Sequence, residues 1–97
     1  MSIAALVASN GVDAFQLILT ERPDVAVIDY MLPLLSGIQI TEKLRHEDKL
    51  KNMRVVLFTS DEQAQTRDHA LEAGADAIVT KVEDPSVLLD TVLNIVD

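Results

Sequence analysis

Val25-Ala26-Val27-Ile28-Asp29-Tyr30-Met31-Leu32-Pro33 is the stretch on which the reading of this chain turns. Its first four residues are apolar without alternation and mostly β-branched, which fits a strand buried on both faces. Such strands belong to parallel sheets covered by helices on either side. Asp29 closes the run, and a Pro- and Gly-containing loop then leads to Gly37. A carboxylate is thus set at the end of a buried strand, where a loop begins.

Working outward, the same alternation recurs. Upstream, Ile3 to Ala8 is a first apolar run, halted by the turn and capping cluster Ser9-Asn10-Gly11. Val12, Phe15, Ile18 and Leu19 follow at helical spacing. Pro23 ends that helix, because it lacks a backbone donor and disfavours helical backbone at Arg22. Downstream, Ile40 and Leu44 mark a second helix, and the charged stretch His46 to Lys51 reads as a solvated helix end and loop. Val55-Val56-Leu57-Phe58 is the next buried strand, closed by Thr59. A helix from about Asp61 to Ala73 carries a weak stripe of Ala64, Ala70 and Leu71, with Gly74 at its C′ position. Ala77-Ile78-Val79-Thr80 is the last strand. Asp84 and Pro85 suit the N-cap and first turn of a final helix whose inner face is Leu88, Val92 and Ile95. Strands and helices in strict alternation predict an α/β chain, a doubly wound parallel sheet in a three-layer α/β/α sandwich.

Composition agrees. Ninety-seven residues with 48% hydrophobic and 25% charged content suit one folded domain spanning residues 1–97. Eight basic against 16 acidic residues leave a net charge of −8, which argues against direct contact with nucleic acid or an anionic membrane. The absence of cysteine excludes disulfides, thiolate metal sites and cysteine nucleophiles. No apolar run approaches the ~18 residues of a membrane span, and no signal peptide opens the chain. A soluble, cytoplasmic domain is expected.

In sheets of this kind the functional crevice lies beyond the carboxyl ends of the strands. Asp29, Thr59 and Lys81 fall there, one at each of three strand ends. A carboxylate can act as nucleophile toward a phosphoryl group, a hydroxyl can hydrogen-bond the transferred oxygens, and an ammonium can offset their charge. Singly, each has a plainer role: Asp29 a loop or capping residue, Thr59 a helix cap, Lys81 a surface charge. Their convergence is what points to chemistry. No second carboxylate stands at a productive spacing for a hydrolase. His46 and His69 lack partners at metal-ligand spacing and read as surface residues, Tyr30 as a rim residue, and the methionines form no stripe.

Along its whole length the chain resembles the receiver domains of two-component response regulators. Asp29-Tyr30-Met31-Leu32-Pro33 with Gly37 looks like the family's phosphoacceptor motif. Phe58-Thr59-Ser60 looks like its hydroxyl motif, and Gly74-Ala75-Asp76-Ala77 followed by Lys81 like its closing motif. The resemblance implies a flavodoxin-like fold, with Asp29 as phosphoacceptor for a histidine kinase and Thr59 and Lys81 contacting the phosphoryl group. It makes Met31, Pro33, Gly37 and Ser60 the supporting loop residues and Mg²⁺ the expected cofactor. It also implies no enzyme activity beyond the domain's own phosphorylation and dephosphorylation.

The sequence departs from the family at defined places. Ile78 occupies the switch position where the family has an aromatic, and Val82 replaces the proline after the lysine. The family's first strand and helix, about 25 residues, have no counterpart ahead of Ile3. With them goes the acidic pair that holds the metal, leaving only Asp29 and the Met31 carbonyl as ligands. The expected architecture is therefore about four strands and four helices, with the uncovered face buried by self-association, most simply as a dimer. Two functions follow: a phosphoryl-accepting signalling receiver, or a phosphorylation-incompetent, truncated pseudo-receiver serving as a dimerisation or protein-interaction module.

Overall fold

Capping chemistry sets the helix boundaries. In the computed structural model, which describes residues 10–96, α1 spans Gly11–Glu21, and the Asn10 side chain accepts the Asp13 amide at 2.9 Å. It stops at Arg22, which turns left-handed (φ 45°) ahead of Pro23. Helix α2, Gly37–His46, opens with a full capping box between Ser36 and Gln39. Helix α3 covers Ala64–Glu72 and α4 covers Pro85–Val96. As expected, Asp84 accepts the Ser86 amide at 2.9 Å at the head of α4, and Gly74 lies just past α3 with φ +107°. That left-handed backbone favours glycine.

The strands β1 (Val25–Asp29), β2 (Arg54–Thr59) and β3 (Ala77–Thr80) form one parallel sheet in the order β1-β2-β3. Val25 pairs with Arg54 and Asp29 with Phe58, while Thr59 pairs with Thr80. Alternation along the strands divides the core. Ala26, Ile28, Val55, Leu57 and Ile78 face one side, where Ala14, Ile18, Ile40, Leu44 and Ala70 cover them from α1, α2 and α3. Val25, Val56 and Val79 face the other side with Val92 of α4. The three-layer α/β/α expectation holds, with three helices on one face and, among the described residues, one on the other.

Some expectations are corrected. Val12 and Leu71 stand on outer faces, 43% and 48% exposed, so the buried pair of α3 is Thr66 with Ala70. Helix α3 also starts later than Asp61. Leu50 and Met53 belong to the core, although Leu50 lies in the stretch read as solvated loop. Turns after α2 swing these side chains under the sheet. The fourth strand expected at Ile3 to Ala8 lies outside the described residues.

A charged knot ties the end of the sheet opposite the crevice. The Arg45 guanidinium donates to the Gly74 carbonyl from Nε and Nη2 (2.8 and 2.6 Å) and to the Met53 carbonyl from Nη1 (2.5 Å). It also pairs with Asp76 at 3.1 Å. Asp76 Oδ2 in turn accepts the Val55 amide at 2.7 Å, locking β2 against the start of β3.

Candidate functional site

The parallel register delivers Asp29, Thr59 and Lys81 to one edge of the sheet. Two backbone bonds extend the ladder beyond the strands themselves: the Tyr30 amide donates to the Phe58 carbonyl at 2.8 Å, and the Lys81 amide to the Thr59 carbonyl at 2.6 Å. The direction of the Asp29 and Lys81 side chains is therefore set by backbone on both sides. Lys81 Nζ lies 2.7 Å from Asp29 Oδ2 and 5.5 Å from the centre of the Phe58 ring, whose face favours a cation. Both charged side chains are partly open to solvent, at 40% and 36% exposure, so an incoming group can reach them.

The other Asp29 oxygen, Oδ1, accepts the Met31 amide at 3.0 Å. This is an Asx-type turn that starts the loop. The loop is then pinned at two points. The Pro33 carbonyl accepts the Gly11 amide at 2.8 Å, and the Gly37 amide reaches the Tyr30 carbonyl at 3.0 Å. Gly37 is buried against the Asp29 carbonyl; a Cβ there would stand 2.8 Å from that oxygen and 2.9 Å from Leu57 Cδ2. Any larger residue would push on the backbone that carries the carboxylate. The Met31 side chain itself is 73% exposed at the rim, and Tyr30 packs half-buried against the core.

Thr59 is buried, and its hydroxyl accepts the Asp61 amide at 3.0 Å. Ser60 is exposed beside it. The sequence marks Asp61 only as the start of a helix, yet its carboxylate organises the turn into α3: Oδ1 accepts the Gln63 amide at 2.9 Å and Oδ2 the buried Thr66 hydroxyl at 2.6 Å. These bonds, Thr66 first, hold the Asp61 carboxyl below its ordinary pKa. The signal that could have found it is the Asp-x-Gln turn ahead of a helix whose own N-cap, Gln63, makes no side-chain bond. Ile78 is buried in the core and His46 and His69 are exposed.

Magnesium favours near-octahedral oxygen coordination. Among the described residues no three acidic, histidine or cysteine side chains group closely enough for a metal. Asp29 has one oxygen on the Met31 amide and the other on Lys81. The described residues on their own do not make a magnesium site.

Against known proteins, the profile of the response regulator receiver domain matches residues 1–93. This chain is a member of the response-regulator receiver family. The receiver is 30% identical over 84 residues to the phosphate regulon transcriptional regulatory protein PhoB of Pseudomonas aeruginosa, covering 87% of this chain and 37% of that one. It is 39% identical over 74 residues to the probable transcriptional regulatory protein TcrX of Mycobacterium tuberculosis, covering 76% and 31%. The receiver thus spans about a third of the length of these relatives. Among solved structures it superposes on a two-component response regulator of the LuxR family from Aurantimonas sp. SI85-9A1 (TM-score 0.84, 33% identity, covering 94% of this chain and 65% of that one). It also superposes on the BeF3-activated N-terminal receiver domain of Klebsiella pneumoniae RstA (TM-score 0.83, 30% identity, 92% and 74%). The fold is accordingly the flavodoxin-like one that the sequence predicts. No helix among the described residues is long and apolar enough to cross a membrane.

Proposed function

We propose that this receiver accepts a phosphoryl group on Asp29 from a histidine kinase and acts in cytoplasmic two-component signalling. The observation that carries the reading is the Lys81–Asp29 pair, 2.7 Å apart at an accessible sheet edge with Thr59 on the neighbouring strand end. A lysine held there stands ready to follow negative charge from the carboxylate onto a phosphoryl oxygen.

In the transfer, a carboxylate oxygen of Asp29 forms a bond to phosphorus, and the bond from phosphorus to the donor's imidazole nitrogen breaks. That nitrogen keeps the electron pair and takes up a proton from solvent. The product on this chain is an acyl phosphate. Lys81 then pairs with a phosphoryl oxygen, and the Thr59 hydroxyl leaves the Asp61 amide to donate to another. Met31, Pro33, Gly37 and Ser60 shape the loops on either side.

Incubation with phosphoramidate, with and without magnesium, followed by intact-mass measurement tests this. Wild type should gain one phosphoryl group and Asp29→Asn none. Wild type that stays unmodified under both conditions sinks the reading and leaves the interaction-only module in its place.

Self-association is the second part of the proposal. Leu89 and Leu93, one turn apart on α4, are 59% and 46% exposed on the helix that alone covers its sheet face among the described residues. A dimer burying that stripe should sediment above monomer mass at tens of micromolar; a single monomeric species would count against it.

A further inference from the structure

Asp29, Phe58 and Lys81 share one face of the sheet. In register Asp29 pairs with Phe58 and Phe58 with Val79, so their side chains leave the sheet together, toward the face that α4 covers. Lys81 comes two residues after Val79, its amide still bonded to the Thr59 carbonyl at 2.6 Å, and so keeps to that face. Asp29 ends β1 and Lys81 follows β3, about 10 Å apart by strand spacing, with Phe58 on the strand between them. To reach the carboxylate the lysine stem crosses β2, and the side chain it crosses is the Phe58 ring. Its ammonium stands 5.5 Å from the ring centre and 2.7 Å from Asp29 Oδ2. The ring itself is half-buried against the cluster of Val25, Val56, Val79 and Val92, which fixes it from below.

We propose that Phe58 is a positioning residue: its ring face holds the Lys81 ammonium over the end of β2, where that ammonium meets a phosphoryl group arriving at Asp29. This rests on the phosphoryl-accepting reading for its use, while the contact itself does not. A solvated ion pair holds a lysine weakly, because ordering the long stem costs rotamer freedom. The ring adds a second hold from a different direction. It is also the hold that survives transfer. As an Asp29 oxygen forms its bond to phosphorus, the carboxylate ceases to be an anion and Lys81 changes partner to a phosphoryl oxygen. The ring stays where the valines keep it, so the ammonium shifts along its face instead of returning to solvent.

Ring-current shifts and labelling rates test the contact and its use separately. In the unphosphorylated chain the Lys81 ε-methylene protons should lie upfield by NMR, and Phe58→Leu should return them to the range of the exposed Lys49 and Lys51. Phe58→Leu should also slow phosphoramidate labelling of Asp29 about threefold, the size of one exposed cation–ring contact. Because leucine changes packing as well, a trifluorinated phenylalanine placed at position 58 by nonsense suppression gives the decisive comparison. It keeps the ring's shape and drains its face of negative charge. Labelling should slow toward the Phe58→Leu rate, with the urea midpoint nearly unmoved. Identical Lys81 shifts in wild type and Phe58→Leu overturn the contact. A trifluorinated variant that labels as fast as wild type overturns the positioning role and leaves Asp29 as phosphoacceptor. Wild type that takes up no phosphoryl group overturns the phosphoryl reading and the role together, and the NMR comparison still decides the contact.

Discussion

Lys81 Nζ touches Asp29 Oδ2 at 2.7 Å across 52 residues of sequence. The pair is partly solvated, so its worth to folding is small, below about 1 kcal/mol. Its worth to phosphoryl transfer is larger, because the ammonium meets charge that develops on the transferred group. Lys81→Ala should slow phosphoramidate labelling of Asp29 about 100-fold, with the urea midpoint nearly unmoved. Equal labelling rates would remove Lys81 from the chemistry.

Gly37→Ala should damage both stability and labelling. The added Cβ meets the Asp29 carbonyl, Leu57 Cδ2 and the Tyr30 Cα, all within 3.0 Å. Overpacking of this kind costs about 1–3 kcal/mol, visible in urea denaturation, and it shifts the backbone that aims the carboxylate.

Leu34 is a strained residue in the same loop. It has φ +71° and is 75% exposed, and the Leu35 amide bonds the Pro33 carbonyl across it in a γ-turn. A non-glycine residue there carries about 1–2 kcal/mol of backbone strain. Leu34→Gly gives back part of this as unfolded-state entropy, so a net gain of about 0.5–1 kcal/mol is expected, read as a raised urea midpoint.

Arg45→Lys should be costly despite keeping the charge. A lysine cannot reproduce the fork that binds the Gly74 and Met53 carbonyls together with Asp76. A loss of about 2 kcal/mol is expected from the stranded acceptors, with Arg45→Ala no better, checked by thermal and urea unfolding.

Acid should loosen the heads of α3 and α4. The Asp61 and Asp84 carboxyls lie below the ordinary 3.8, Asp61 chiefly through the Thr66 hydroxyl and Asp84 chiefly through the Ser86 amide. As pH falls, the unfolded chain takes up protons at these positions first. Their stabilisation is therefore present above about 3.8 and lost as pH drops through the lower folded values. Thr66→Val should return the Asp61 titration, followed by NMR, toward 3.8 and leave Asp84 unchanged.

Local chemistry was legible in the residues themselves. The continuous apolar run before Asp29, Pro23 after the first helix, Asp84-Pro85 and Gly74 each express a rule acting within a few residues, and the elements they predict are present. Val12 and Leu71 misled because helical spacing names a stripe without saying how much of it the sheet covers. Leu50 was hidden among charges because only the path of the chain after α2 brings it under the core.

By itself, then, the sequence determined the order of strands and helices among the described residues, the family, and which residues end those strands. Those are properties of short segments and of pattern. Only the tertiary structure decided that Lys81 meets Asp29, that Arg45 closes the opposite end through Gly74, and that Asp61 stands between Thr59 and α3. The first two depend on register between strands distant in sequence. The third depends on a turn that sets Asp61 between two buried hydroxyls, those of Thr59 and Thr66.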